Sequence, residues 1–165
     1  MLRHLVTLDG SGVLREVEQF LYREARFADT HDYDAWEALW TDDGVYWIPA
    51  NGEGGDPEQV MSIVYDNRSR IALRVRQLKS GKRHSQTPRS RLSRLLSNIE
   101  LIMDGEALRV HANAVVFEST ARGETTWASR NEYHLRRDGG GLKMAYKKVV
   151  LINNDRALLT MSFLL

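Results

Sequence analysis

Near the start of the chain, apolar residues recur every three to four positions. Leu14, Val17, Leu21, Ala25 and Ala28 are separated by the polar residues Arg15, Glu16, Gln19, Arg23 and Arg26. That period, with a polar opposite face, predicts an amphipathic helix. Tyr33, Trp36, Leu39 and Trp40 repeat the spacing over a shorter stretch, and Asp34 with Glu37 three residues on reads as a capping box with Asp in place of Ser or Thr. Thr41 to Gly44 closes this second helix. Val45 to Ile48 then reads as a short strand stopped by Pro49, and 51–57 as a loop rich in glycine and acid. A third helix is predicted with Asp66 as N-cap, Ile71, Val75 and Leu78 on one face, and Gly81 as its stop.

After residue 91 the period shortens to two. Segments over Leu92–Met103, Glu106–Glu118, Thr125–Arg137 and Leu142–Ile152 are divided by Asp104-Gly105, Arg122-Gly123 and Asp138-Gly-Gly-Gly141, all turn sequences. Four long antiparallel strands in a meander follow. Helices ahead of a run of hairpins predict an α+β fold, with a curved antiparallel sheet wrapped around the N-terminal helices. In Glu106–Glu118, Leu108, Val110, Ala112, Ala114 and Val116 share one face, which is expected to pack on the helices. Arg109, His111, Asn113, Val115 and Phe117 share the other. Charge mixed with two large apolar side chains is the composition of a surface that a partner covers, so Arg109, His111, Val115 and Phe117 are candidates for self-association into a trimer. Trp127 and Tyr133 stand together on the next strand and read as core. Residues 157–165 are apolar enough for a further strand or a docking tail.

Composition narrows the possibilities. A length of 165 residues with 42% hydrophobic content fits one domain spanning 1–165 with a sizeable core. Arg3, His4 and Asp9 interrupt the opening stretch, and no apolar run reaches the roughly 18 residues of a membrane span, so a soluble, cytoplasmic protein is expected. Zero cysteines exclude a disulfide framework, a thiolate zinc site, a cysteine nucleophile and a cysteine-ligated iron-sulfur cluster. The net charge of +1 conceals a basic segment, since ten Lys or Arg lie between Asp66 and Arg94 against Asp66 alone. Such a segment suits a solvated face or an acidic partner. Nucleic acid is disfavoured, because no aromatic side chain interleaves with the charges.

Candidate chemistry is sparse. His4, His31, His84, His111 and His134 lack the spacing of a metal site, and Ser80-Gly-Lys-Arg83 lacks the upstream glycine and following hydroxyl of a phosphate loop. A curved sheet can enclose a cavity, however. Acid-base catalysis there would draw on Asp29, His84, His111, Tyr22 and Tyr46. Each also has a structural reading: Asp29 near a helix end, His84 in a polar loop, His111 on the outer sheet face, and the two tyrosines as core aromatics.

A set of short signatures occurs in one order: Glu18-Gln-Phe-Leu-Tyr-Arg-Glu-Ala-Arg26, Trp36, Thr41-Asp-Asp43, Tyr46-Trp47, Pro49, Ser62-Ile-Val-Tyr-Asp66, Arg68, Arg74-Val75, Pro88-Arg-Ser-Arg91 and Ser97-Asn98. Together they resemble the small (beta) subunit of the Rieske-type aromatic-ring-hydroxylating dioxygenases. The resemblance implies a cone-like α+β fold, nuclear transport factor 2-like and cystatin-like, shared with several small isomerases and dehydratases. It implies a structural subunit with no cofactor of its own, in a complex that adds both atoms of dioxygen to an aromatic ring with electrons from NAD(P)H. The large (alpha) subunit would hold the Rieske 2Fe-2S cluster and the mononuclear iron, and the usual assembly is three large plus three small subunits. Arg68, Arg89 and Arg91 lie where the resemblance is dense and are candidates for holding the large subunit. The alternatives are a stand-alone, cofactor-free isomerase or dehydratase of the same fold, and a non-enzymatic module that binds through the basic segment.

Overall fold

A computed structural model describes residues 10–82, 88–104 and 107–165; His4 and His84 fall outside them. Helix α1 (Gly10–Asp29) buries Val17, Phe20, Leu21, Ala25 and Ala28, the stripe that the 3.6-residue period requires. His31, in the left-handed region at φ 58°, turns the chain. Helix α2 (Tyr33–Glu37) is therefore capped two residues earlier than expected: Asp32 is its N-cap, accepting the Ala35 N–H at 3.3 Å, while Asp34 reaches out to Lys79 at 2.7 Å. Leu39 and Trp40 leave the helix. Trp40 opens strand β1 (Trp40–Pro49), and Thr41 to Gly44 is an irregularity inside that strand rather than a helix end.

Strand β2 (Ser62–Asp66), which carried no periodic signal, pairs antiparallel with β1. Helix α3 (Arg68–Lys79) buries Ile71, Val75 and Leu78 as predicted. Its N-cap is Asn67, which accepts the Arg70 N–H at 3.0 Å, because Asp66 still belongs to β2 and pairs with Arg74 at 2.6 Å. The meander follows as β3 (Arg91–Asp104), β4 (Ala107–Thr120), β5 (Gly123–Asp138) and β6 (Gly141–Leu151). Residues 157–165 form no strand and dock instead, with Phe163, Leu164 and Leu165 buried in the core.

The sheet runs in the order β2-β1-β6-β5-β4-β3, antiparallel except for the parallel pair β1 and β6. Its inner face and the helices enclose one apolar core that includes Phe20, Trp36, Trp40, Tyr46, Val110, Trp127, Tyr133 and Leu151. Within the β3–β6 meander, two bulges set which side chains enter. Pairing passes from Ser97↔Asn113 to Glu100↔His111, an extra residue on β3, where Asn98 sits at φ 53°. It also passes from His134↔Tyr146 to Leu135↔Met144, leaving Ala145 unopposed. An extra residue reverses the facing of everything beyond it, and the second bulge sends Lys147 inward and Tyr146 outward.

Candidate functional site

The interior is where enzymes of a curled-sheet fold could keep a cavity, and here it contains a charge pair. Glu24 lies on the apolar face of α1, three residues after Leu21, and Lys147 enters from β6. Their Oε1 and Nζ are 2.5 Å apart, and both side chains are 1% exposed. Trp36 Nε1 donates to the same carboxylate oxygen at 2.9 Å. The Tyr46 and Tyr133 rings flank the ammonium at 5.9 and 5.8 Å. Burial pushes the Lys147 pKa below its ordinary value, although the Glu24 charge opposes that shift. Burial likewise raises both tyrosines, so they stay neutral. Along β5 the polar side chains bond one another, Ser129 Oγ to Asn131 Oδ1 at 2.8 Å and Asn131 Nδ2 to the Tyr133 hydroxyl at 2.9 Å.

The rest of the interior is closed by the chain itself. Tyr46 bonds the backbone of Leu165, Arg94 bonds the Leu164 carbonyl, and Asp29 holds Arg94 at 2.6 Å. The four acid-base candidates among the described residues therefore do not converge. Asp29 is committed to Arg94 at the end of α1, Tyr46 to Leu165 in the core, Tyr22 is exposed, His111 is on the outer sheet face, and His84 lies outside the described residues. Tyr22 is thus no core aromatic.

Outside the sheet, Arg109, His111 and His134 surround Glu132 at 3.5, 3.9 and 2.7 Å. His134 stacks on Tyr146 with centroids 4.6 Å apart. Partial burial pushes the Glu132 carboxyl up, but the His134 hydrogen bond and the positive charges outweigh it and hold the group below the usual range. Farther along the same face Val115 and Phe117 stand beside Leu95, and Phe117 is 47% and Leu95 61% exposed. Among the described residues no three His, Asp or Glu side chains are arranged to hold a metal, and no helix is long and apolar enough to cross a membrane.

The three arginines selected from the sequence do not form one patch. Arg68 is paired with Glu37 at 2.8 Å, and Arg89 lies over the Tyr33 ring at 5.8 Å, both on the helical side. Arg91 opens β3 opposite Ser119, two residues from the Ser93↔Phe117 pair, on the exposed sheet face. The Glu24–Lys147 pair was not among the sequence candidates. Its signal was available in Glu24, a charge at helical spacing within an apolar stripe.

Residues 23–156 match the family model described as ring hydroxylating beta subunit. The chain is similar to the small oxygenase component of the p-cumate 2,3-dioxygenase system of Pseudomonas putida, 30% identical over 82% of this chain and 77% of that protein. It is also similar to the crystal structure of the beta subunit of benzoate 1,2-dioxygenase from Burkholderia mallei, with 27% identity, a TM-score of 0.75, and 92% and 97% of the two chains covered. An NTF2-like protein with a cystatin-like fold from Novosphingobium aromaticivorans, 19% identical over 93% of both chains, shares the fold with a TM-score of 0.60.

Proposed function

The chain belongs to the family of ring-hydroxylating beta subunits, and on that premise we propose that it is the structural small subunit of a dioxygenase that adds both atoms of dioxygen to an aromatic substrate. Its partner is the large subunit of that enzyme. The observation that carries the structural role is the filled interior: Phe163, Leu164 and Leu165 occupy it, and Glu24 and Lys147 satisfy each other. On this reading the Rieske cluster, the mononuclear iron and the substrate reside in the large subunit, electrons come from NAD(P)H, and three large and three small subunits assemble in the cytoplasm. The cysteine-free sequence supports assigning the cluster to the partner, since a Rieske centre needs two cysteines.

Two sets of side chains serve assembly in this proposal. Arg68 and Arg89 on the helical side and Arg91 on the outer sheet face hold the large subunit, and Arg109, His111, Val115 and Phe117 make the contact between small subunits. The large subunit thus reaches round to Arg91, which shares the outer sheet face with Phe117. Expression of the large subunit with and without this chain tests the reading. Ring dihydroxylation should require both, and the chain alone should turn over no aromatic substrate. Isomerase or dehydratase turnover by the chain alone would overturn it.

A further inference from the structure

Ser162, Phe163, Leu164 and Leu165 are buried, yet they belong to neither helix nor strand. Buried irregular backbone must find partners other than a ladder. Two side chains supply them. The Tyr46 hydroxyl donates to the Leu165 carbonyl at 2.9 Å and accepts the Leu165 N–H at 3.0 Å, and Arg94 Nη2 donates to the Leu164 carbonyl at 2.9 Å. Arg94 is fixed in turn by Asp29, which accepts its Nε at 2.6 Å and its backbone N–H at 3.0 Å. Because Asp29 neutralises the guanidinium, the pair presents a directed donor without net charge, which suits a peptide carbonyl rather than an anion. Phe163 rests edge-on against Trp127, with centroids 5.6 Å apart. Main-chain groups read by fixed donors and acceptors, with a pocket for a neighbouring side chain, are the pattern by which an extended peptide is recognised. In the connection leading to this segment Asp155, Arg156, Ala157, Leu159 and Thr160 are exposed, and only Leu158 and Met161 pack partly against the core.

We propose that the mouth of the curled sheet is a peptide-binding site built from Tyr46, Arg94 and Trp127, whose ligand is the chain's own segment Ser162–Leu165, seated and released without unfolding the sheet. The ligand class is a short apolar peptide offering N–H and C=O from one residue and an aromatic ring two residues before it. The seated segment also seals the interior, because the Tyr46 ring that bonds Leu165 lies 5.9 Å from Lys147 Nζ.

Amide hydrogen exchange on the full chain tests the proposal. The amides of Phe163, Leu164 and Leu165 should exchange by local opening, faster than those of Trp127 to Leu135 in β5. Tyr46→Phe should accelerate the segment alone, by about three- to tenfold, as expected for loss of one hydrogen-bonding hydroxyl. A second measurement uses the full-length double variant Phe163→Ser with Leu165→Ser, whose segment cannot seat. The N-acetylated tetrapeptide SFLL should bind this folded variant and change its tryptophan fluorescence, whereas a peptide with serine replacing the phenylalanine should not. Exchange of the segment only through global unfolding would make it a fixed part of the core and overturn the proposal. So would failure of SFLL to bind the folded double variant. Should that variant not fold, the exchange rates in the unmodified chain and in Tyr46→Phe decide alone.

Discussion

Replacing either member of the Glu24–Lys147 pair should be far more harmful than replacing both. The two charged atoms are 2.5 Å apart and the side chains are 1% exposed, so neither charge has water to turn to. Removing one partner of such a pair costs about 3–5 kcal/mol, most of it the uncompensated charge left behind. Glu24→Gln keeps an acceptor for Trp36 Nε1, and Lys147→Met keeps the aliphatic stem between the Tyr46 and Tyr133 rings. Each single variant should therefore lose about 3–5 kcal/mol, while the double variant, with both charges gone, should lie within about 2 kcal/mol of the parent. Urea denaturation at one fixed protein concentration measures all four, the concentration being held because any self-association would add to apparent stability. The pH dependence supplies a second check. Burial already holds the Lys147 pKa below 10.5, and without the opposing Glu24 charge it falls further. The unfolded chain then binds a proton that the folded chain does not, so Glu24→Gln should regain stability as pH rises toward the unfolded lysine value. Single-variant losses that sum to the double-variant loss within about 0.5 kcal/mol would refute the coupling.

Tyr146, pushed up to about 12 chiefly by burial and then by the Glu132 charge, should show no phenolate absorbance where free tyrosine ionises; since unfolded tyrosine loses its proton first, stability should fall as pH climbs from 10 toward that value, and ionisation near 10 would contradict the packing. Phe117→Asp should shift the small subunit toward monomer in sedimentation with little loss of fold, because the side chain is 47% exposed; an unchanged mass would remove it from the contact. Arg89→Ala and Arg91→Ala should weaken co-purification with the large subunit, whereas Arg68→Ala also breaks the partly exposed Glu37 pair, worth about 1 kcal/mol or less, and needs a parallel stability measurement. Asn98→Val should cost about 1–2 kcal/mol in thermal denaturation, since a β-branched residue is strained at φ 53°, while Asn98→Gly should cost little.

The long amphipathic elements were legible because burial imposes its period directly on the sequence: α1, α3 and the four meander strands lie within a few residues of their expected positions. Local choices between neighbouring residues were not. Asp34 and Asp66 look like helix caps, but Asp32 and Asn67 fill that role, decided by where the chain turns at His31 and where β2 ends. Strict alternation from Leu142 and Met144 points Tyr146 inward, and only the unopposed Ala145, set by pairing with β5, reverses it. For that reason Lys147 gave no sign of its burial. The family signatures were legible as an ordered set, whereas the surfaces they belong to were not. Arg68, Arg89 and Arg91 look like neighbours in a basic segment, yet the strand that begins at Arg91 carries it to another face of the molecule.

The parallel pairing of β1 with β6 has a kinetic consequence. β3 to β6 can form by successive hairpins between sequence neighbours, but Val45 of β1 must find Tyr146 of β6, about a hundred positions later. The entropy of closing that loop is met only once β6 is already held by β5. The β1–β2 hairpin, and with it the Tyr46 side of the core, should therefore join late, after the meander exists as a template. Until then β6 presents a long unpaired edge, the species most open to association with another chain.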